Sequence, residues 1–176
     1  MLSQEKKITI INTDTTIANA NKHPEYWRLL GNVIFKHNNT QMFCDSAYHF
    51  LNENKIKAFG NIAINQGDSI TLYGEALTYY GNINNIEITR NVRLIDKSMT
   101  LSTQLLNYNL QSNIGHYPNK GIIKDSDKTI TSKNGEYYSD QHKFIFKDSV
   151  ILKENDYTIL TNNMHYLINN QTTLFF

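Results

Sequence analysis

The chain has 176 residues, of which 40% are hydrophobic and 19% are charged, and its formal net charge is +1. A chain of this length can bury one sizeable core, and the near-neutral charge argues against a nucleic-acid-binding protein, which normally carries a clear basic excess. The single cysteine, Cys44, excludes an intrachain disulfide, and the sequence contains no apolar run of about 20 residues that would span a membrane as a helix.

The first 30 residues are the least regular part of the sequence. Residues 7–11, which read KITII, predict a short strand, whereas Pro24 argues against a central strand over residues 23–28. We therefore predict that residues 1–30 form an incomplete unit that closes one end of the fold.

Residues 31–176 contain five tandem repeats with a period of about 29 residues, and we take them as one domain. Such internal similarity indicates that one structural unit is built again and again. Four columns of recurring residues define the repeat: Val33, Ile62, Val92, Ile122 and Val150; Met42, Leu72, Leu101, Ile130 and Ile159; Ala47, Leu77, Leu106, Gly135 and Met164; and His49, Tyr79, Tyr108, Tyr137 and Tyr166.

Each repeat has the pattern of two long strands and two turns. Apolar residues alternate with other residues, as in Val92/Leu94 and Phe144/Phe146, which places one set of side chains on one face of a strand. Polar corners rich in Asn, Asp and Gly separate these runs and predict turns. They lie at 37–39, 66–68, 96–98, 125–127 and 154–156, and at 52–54, 81–84, 111–113, 140–142 and 169–171.

The periodicity predicts an all-β protein and leaves two architectures open. Turns that always bend in the same direction produce a parallel β-solenoid, and turns that alternate produce an antiparallel meander folded over its apolar face. Equivalent residues stack in both. Both also leave open sheet edges at the two ends, with unpaired backbone groups that can accept another strand.

The order of the motifs resembles the OstA-like/LptA family of lipopolysaccharide transport proteins of Gram-negative bacteria. The resemblance begins with residues 30–35 (LGNVIF), 42–48 (MFCDSAY) and 58–68 (AFGNIAINQGD). It continues with residues 101–108 (LSTQLLNY), 144–150 (FIFKDSV) and 156–159 (DYTI), and so covers roughly residues 30–176. The composition, rich in Asn, Lys and Ile, is similar to the Bacteroidetes branch.

This resemblance implies an antiparallel β-jellyroll, shaped like a folded taco, whose apolar groove holds the acyl chains of lipopolysaccharide. It implies a periplasmic location and partners of the same kind, because such domains join end to end through their edge strands into a bridge to the outer membrane. We also expect head-to-tail self-association. Residues 1–7 lack the apolar stretch of a signal peptide and Phe176 ends in mid-pattern, so we expect this chain to be a piece of a longer exported protein.

The recurring apolar residues are the candidate lining of the lipid groove. Burying an acyl chain of twelve methylenes among such side chains gains about 10 kcal/mol before costs, at about 0.8 kcal/mol per methylene. From the residues alone, a closed core is the favoured interpretation of these columns, and the resemblance shifts the balance toward a lipid groove. The candidate lining residues are Val33, Phe35, Met42, Ile62, Ile64, Leu72, Leu77, Val92, Leu94, Leu101, Leu106, Ile130, Phe144, Phe146, Ile159 and Met164.

The sequence contains no recognisable catalytic or metal-binding pattern, and we expect neither an enzyme nor a cofactor. Cys44 stands in no His or acid pattern typical of a catalytic nucleophile and is expected to be a small buried hydrophobe. Asp45 is expected at a turn or strand edge rather than on a metal, and His49, in the tyrosine column, is expected to pack half-buried. The histidines at 37, 49, 116, 142 and 165 lack metal-ligand spacing.

Two other functions fit the repeat. A structural β-solenoid, such as an adhesin-like scaffold segment, would use the stack for its stiffness alone. A carbohydrate-binding module would use the column of tyrosines at 79, 108, 137 and 166 as a stacking platform. The same column is also explained by an aromatic ladder that stabilises neighbouring strands.

Overall fold

The structure, a computed structural model, describes residues 7–19, 21–66 and 70–176. In these residues it contains three single-turn 3-10 helices (Gly81–Ile83, Ser139–Gln141 and Ile168–Asn170) and fifteen β-strands. The strands are β1 (Thr9–Asn12), β2 (Thr15–Asn19), β3 (His23–His37), β4 (Thr40–Phe50), β5 (Lys55–Gln66), β6 (Ile70–Tyr80), β7 (Asn85–Asp96), β8 (Met99–Asn109), β9 (Ile114–Tyr117), β10 (Gly121–Asp125), β11 (Lys128–Ser132), β12 (Asn134–Tyr138), β13 (Lys143–Glu154), β14 (Tyr157–Leu167) and β15 (Thr172–Phe175).

The strands form one antiparallel meander in which sequence neighbours are also neighbours in the sheet. β3 to β8 follow one another without interruption, and the sheet continues through β10, β11, β13 and β14. All strand pairs of the described residues are antiparallel. The all-β prediction is therefore confirmed in its antiparallel form, and the parallel β-solenoid alternative is wrong.

Every long strand bends near its middle, and there the ladder shifts by one residue. On four strands the bend is made by two consecutive residues with positive φ: Gly31-Asn32, Gly60-Asn61, Arg90-Asn91 and Asp148-Ser149. Two bent residues lie opposite one residue of the neighbouring strand, which is a β-bulge and sharpens the local turn of the chain. The sequence places these residues at the start of a strand, whereas the structure places them in the middle of one.

Gly and Asn suit this bend because they adopt left-handed backbone conformations at low cost. Gly60 also has no room for a side chain, since a Cβ atom there would lie 2.3 Å from the Asp45 Oδ2 atom. Asp45 in turn accepts a hydrogen bond of 2.9 Å from the Asn61 side chain. Asp14 and Asn32 repeat this contact one bend earlier, also at 2.9 Å. Asp45 therefore has a structural role at the bend, but it lies in the middle of β4 rather than at the turn or strand edge expected from the sequence.

The bends divide the sheet into two halves that share one inner face. Half-sheet 1 contains the segments 33–37, 40–44, 62–66, 70–74, 92–96, 99–103, 121–125, 128–132, 150–154 and 157–161. Half-sheet 2 contains 26–30, 46–50, 55–59, 76–80, 85–89, 105–109, 114–117, 134–138, 143–147 and 163–167.

The turns form two rims, one along each half-sheet, at the side opposite the bends. Rim 1 carries the hairpins at 38–39, 97–98, 126–127 and 155–156, and rim 2 carries the turns at 51–54, 81–84, 110–113, 139–142 and 168–171. We call the side on which the two rims face each other the mouth. Nearly all turns lie where the polar corners predicted them. Of the corner predicted at 66–68, residues 67 and 68 lie outside the described residues.

The fourth repeat departs from the regular pattern. Two pairs of short strands, β9/β10 and β11/β12, replace its two long strands, with Pro118 in the first gap. Tyr117 occupies the core there, and a Cβ atom on Gly135 would lie 2.3 Å from its hydroxyl oxygen. The glycine that interrupts the third column of the repeat is thus explained by the ring that fills its space.

The N-terminal residues continue the same architecture. β1 lies where a strand was predicted, and β1 and β2 pair with the two halves of β3. Pro24 lies in the first residues of β3, before the pairing with β4 begins at Trp27, and this part of the strand pairs with β2 alone. Pro24 is therefore not in a central strand, as the sequence predicts. β3 crosses residue 30 without a break, and the division at residues 30 and 31 stays a prediction. Residues 1–6 of the N-terminal segment lie outside the described residues.

The bend is testable at Gly60. We expect Gly60→Ala to lower the free energy of unfolding by about 2 kcal/mol, because alanine is strained at φ +76° and its Cβ atom meets Asp45. Arg90, at the same position of the next repeat, is the matched control. Its φ is +65°, and Arg90→Gly relieves left-handed strain without loss of stability. Equal losses for the two variants in urea unfolding would contradict the role assigned to the bend.

Candidate functional site

Two rows of apolar side chains cross the inner face from one end of the molecule to the other. Each row takes one residue from successive strands of its half-sheet, in register across the ladder. The row of half-sheet 1 is Ile10, Phe35, Met42, Ile64, Leu72, Leu94, Leu101, Ile123, Ile130, Leu152 and Ile159. The row of half-sheet 2 includes Leu29, Ala47, Ala58, Leu77, Ile88, Leu106, Tyr117, Gly135, Phe146 and Met164.

The residues predicted to line a groove all lie on this inner face or at its end. All but one of the sixteen are at most 4% exposed, and Ile159, on the last strand of half-sheet 1, is half-buried. The sequence interpretation missed further members of the same cluster. These are Leu29, Ile56, Ile86, Ile88, Tyr117, Ile123, Val150, Leu152 and Ile168. The alternation that identified the chosen residues also marks several of these, such as Ile86/Ile88.

The inner face is packed against itself, so this conformation has a closed core. Phe35 of half-sheet 1 meets His49 of half-sheet 2 edge-on, with ring centroids 6.0 Å apart. The clefts lie elsewhere. One of about 800 Å³ lies outside the bends and is lined by Ala63, Tyr73, Arg93, Ser102 and Ile122, among others. Another, of about 670 Å³ and polar, lies at the mouth between Gln66, Asn113 and Ser139.

A row of polar pairs closes the mouth. In each pair, one partner is the last inward-facing residue of a half-sheet 1 strand, just before its rim 1 turn. The other partner is a tyrosine of half-sheet 2, 41 or 42 positions later in the chain. Tyr137 donates to Asp96 at 2.5 Å, and Tyr166 donates to Asp125 at 2.8 Å. Two repeat spacings before the Asp96–Tyr137 pair, the corresponding pair is His37 and Tyr79. We call the pairs His37–Tyr79, Asp96–Tyr137 and Asp125–Tyr166 the rim pairs.

Gln66 takes the corresponding place between the first and second rim pairs. Its side-chain amide donates to the Asn113 side chain at 2.6 Å and to the carbonyl oxygen of Leu110 at 3.2 Å. Both acceptors belong to rim 2. By the repeat spacing, the tyrosine that corresponds to Gln66 is Tyr108. Burial raises the pKa of the Tyr108 hydroxyl to about 12. The mouth is therefore bridged here too, but by amide groups.

Asp96 is the most enclosed charge of the mouth. Its side chain is fully buried, and the Nδ1 atom of His142 lies 2.7 Å from the same carboxylate oxygen that accepts from Tyr137. A carboxylate without such partners would be costly at this burial. Burial, together with the hydrogen bond to Asp96, raises the pKa of Tyr137 well above its usual range, so this hydroxyl stays a donor.

The sequence interpretation of two polar corners was incomplete. Asp96 and Asp125 were assigned to turns with no further role, whereas they are the last residues of β7 and β10 and are 0% and 1% exposed. The tyrosine column was also open to a sugar-stacking function. Tyr79, Tyr108, Tyr137 and Tyr166 are all 0% exposed and present no ring face to solvent, which leaves the carbohydrate interpretation without support.

The other singled-out polar residues are structural. Cys44 is buried, and desolvation with the neighbouring Asp45 raises its thiol pKa to about 12, which disfavours the nucleophilic thiolate. His49 is 6% exposed, more buried than expected, and burial lowers its pKa. In the described part of the chain no three His, Cys, Asp or Glu side chains cluster in a way that could hold a metal ion.

The sheet has open edges at both ends within the described residues. At the N-terminal end, β1 and β2 pair with β3 alone. At the C-terminal end, β15 covers only residues 164–167 of β14, so the segment 157–161 pairs on one side only. Leu160 on this segment is 74% exposed. Edges of this kind present unpaired backbone groups to another strand.

The rim pairs predict a measurable difference between two adjacent tyrosines. We expect Tyr137→Phe to lower the free energy of unfolding by about 1–3 kcal/mol, because the buried Asp96 loses a donor. Tyr138→Phe is the control, since that hydroxyl points outward to Glu136, and we expect a loss below about 0.5 kcal/mol. Similar losses for both variants in urea unfolding would show that the buried pair contributes nothing special.

Comparisons with known proteins agree with this geometry. A sequence profile of the OstA-like protein family matches residues 5–162. No curated protein matches the chain in sequence. In the part of the chain that the structure describes, no helix has the length and hydropathy required to cross a membrane.

Solved structures show the same fold. One is the crystal structure of LptH from Pseudomonas aeruginosa, described as the LptA-homologous periplasmic component of the conserved lipopolysaccharide transport device. It matches with a TM-score of 0.54 and 15% sequence identity, over 63% of this chain and 81% of the LptH chain. The antiparallel β-jellyroll prediction is thereby confirmed. The profile match covers most of the chain, and the chain therefore belongs to the OstA-like protein family.

Proposed function

We propose that this protein is a non-enzymatic carrier of lipopolysaccharide in the periplasm and one module of a bridge to the outer membrane. The acyl chains of lipid A bind between the two half-sheets, along the inner apolar rows. The carrying observation is the continuity of these rows: the row of half-sheet 1 runs across its strands from Ile10 to Ile159, and neither row has a charged member. Membership of the OstA-like family and the fold shared with LptH support this assignment.

The chemistry of the rows suits a carrier better than a receptor for one fixed ligand. Aliphatic side chains attract acyl chains in proportion to the apolar area that they remove from water, at about 25 cal/mol per Å². They fix no position along the row, because no polar group reads the cargo. Neighbouring positions along the row are similar, so no single position binds an acyl chain much more tightly than the next. A bound acyl chain can therefore move along the row without having to escape from a deep energy minimum.

The ends of the molecule provide the means of assembly. The N-terminal edge of β1 and β2 and the 157–161 edge of β14 can pair with strands of similar domains. Ile10 and Ile159, the end members of the row in half-sheet 1, are both only partly buried. A neighbouring domain added at either edge would continue the apolar row across the junction. We propose head-to-tail association of this kind, with further copies or with related domains.

Photo-crosslinking tests the lipid site. A leucine-sized diazirine amino acid at Leu77 or Leu106 is expected to label the acyl chains of added lipopolysaccharide, because both side chains lie on the inner face. The matched control is Thr78, the next residue of the same strand, whose side chain points to the outer face and should give no acyl label. Labelling is read by mass spectrometry of the lipid adduct.

Two outcomes of this experiment contradict the proposal. One is the absence of any adduct from Leu77 and Leu106 while the circular dichroism spectrum stays that of a folded β-protein. The other is equal labelling from Thr78, which would indicate nonspecific adsorption of lipid to the surface.

End-to-end association is tested by the exposed leucine of the edge strand. We expect the sedimentation coefficient to rise with concentration, and Leu160→Lys to suppress the rise, because a charge on an edge strand opposes strand addition. Ile83→Lys is the control, since Ile83 is 61% exposed on a rim turn away from both edges. A monomer at all concentrations, or equal effects of the two lysines, would contradict self-association.

A further inference from the structure

The closed core raises the question of how an acyl chain enters it. Leu72, Leu94, Leu101 and Ile130 in the middle of half-sheet 1 are all 0% exposed, and so are Ile88 and Leu106 of half-sheet 2. Cores packed in this way have no space for twelve additional methylenes. Binding between the half-sheets therefore requires that some seam of the structure opens.

The structure could open at three kinds of place: between neighbouring strands, at the bends, or at the mouth. We call these places seams, and they differ in the strength of the bonds that hold them closed. Neighbouring strands are joined by backbone ladders of up to ten residue pairs, as between β7 and β8. The bends are covalent, because each long strand passes through them. At the mouth, by contrast, the hydrogen bonds that join rim 1 to rim 2 in the described residues each involve a side chain. The mouth is therefore the weakest seam.

We propose that the rim pairs are a latch, and that acyl chains enter the core sideways when the Asp96–Tyr137 and Asp125–Tyr166 pairs separate. This inference rests on the proposed function and adds the route of entry to it. Both pairs join a fully buried tyrosine to a buried carboxylate. Parting the rims returns these polar groups to water, which offsets part of the loss of their hydrogen bonds.

A latch of polar pairs can open at a lower cost than an apolar closure, because its groups can hydrogen-bond to water when they separate. Water can replace the partner of a tyrosine hydroxyl or a carboxylate, so an open mouth leaves no polar group buried without a partner. The remaining cost of opening is the exposure of the apolar rows, and an incoming acyl chain covers these same rows. The half-sheets can thus exchange contact with each other for contact with lipid while the strand ladders stay intact.

A reversible clamp across the mouth tests the route. In a Cys44→Ala background, Ser126→Cys and Gln171→Cys place thiols on opposite rims, at two exposed side chains that lie 3.4 Å apart. A short bis-methanethiosulfonate reagent joins them, and a reductant releases them. Uptake is followed by stopped-flow fluorescence with BODIPY-labelled lipopolysaccharide. We expect the clamp to remove most of the initial uptake rate and the reductant to restore it.

The matched control clamps two turns of the same rim. Asp127→Cys and Asn155→Cys also replace exposed side chains, 3.2 Å apart, but both belong to rim 1. This clamp should leave uptake unchanged. If the clamp across the mouth also leaves it unchanged, acyl chains enter through the open ends and the latch is wrong. If the unclamped protein takes up no labelled lipid, the proposed function itself is wrong, and the inference falls with it.

A weakened latch should have the opposite effect. Tyr166→Phe removes the donor to Asp125 and is expected to speed uptake by about fivefold, the factor that corresponds to one hydrogen bond of about 1 kcal/mol net. Tyr138→Phe, whose hydroxyl points outward, should leave the rate unchanged. Circular dichroism checks that both variants are folded. Slower or unchanged uptake in folded Tyr166→Phe would overturn the role of this pair.

Discussion

The architecture depends on the left-handed bends in the middle of β3, β5, β7 and β13. An antiparallel meander of this length would otherwise be an open twisted sheet with one apolar face in water. Two residues with positive φ, such as Gly60-Asn61, bend each of these four strands, so that the sheet folds over its own apolar face. The carboxylates opposite the bends, such as Asp45 beneath Asn61, hold this geometry through side-chain hydrogen bonds. The inner rows, the rims and the mouth all follow from the repetition of this one feature.

Repetition also explains why the interior is uniform while the ends differ from it. Inside the stack every apolar residue has neighbours on both sides, and the rows are buried to 0% exposure in their middle. At the C-terminal end the same register leaves Ile159 half-buried and Leu160 exposed, because the next strand is only partly present beside them. A chain of such domains can bury these ends in the same way as each domain buries its middle. The same apolar rows thus serve two purposes in this account: they bind lipid within a domain, and they continue across the junction when domains join end to end.

The fold was largely predictable from the sequence, whereas the closing of the mouth was not. The period of about 29 residues and the alternation within it were sufficient for the β-strand repeat, most of the turns and the inner face, but not for the short strands β9 to β12. The direction of the turns was undetermined, because equivalent residues stack in both parallel and antiparallel arrangements. Asp96 and Asp125 were assigned to turns only, because Asp next to Ser and Lys is typical of a turn. Their burial depends on contacts with tyrosines 41 positions later in the chain. This separation is longer than one repeat of about 29 residues, so the pattern within a repeat does not reveal the contact.

The central claim is that acyl chains occupy the space between the half-sheets, and methyl NMR with a spin-labelled lipid measures this directly. A nitroxide near the end of an acyl chain of lipopolysaccharide should broaden the methyl resonances of Leu72 and Leu101, on the inner row. It should leave Ile122 and Ile151, on the outer face of the same half-sheet, sharp. Broadening of the outer methyl groups with unchanged inner ones would show that the lipid binds to the surface and that the interior is only a structural core.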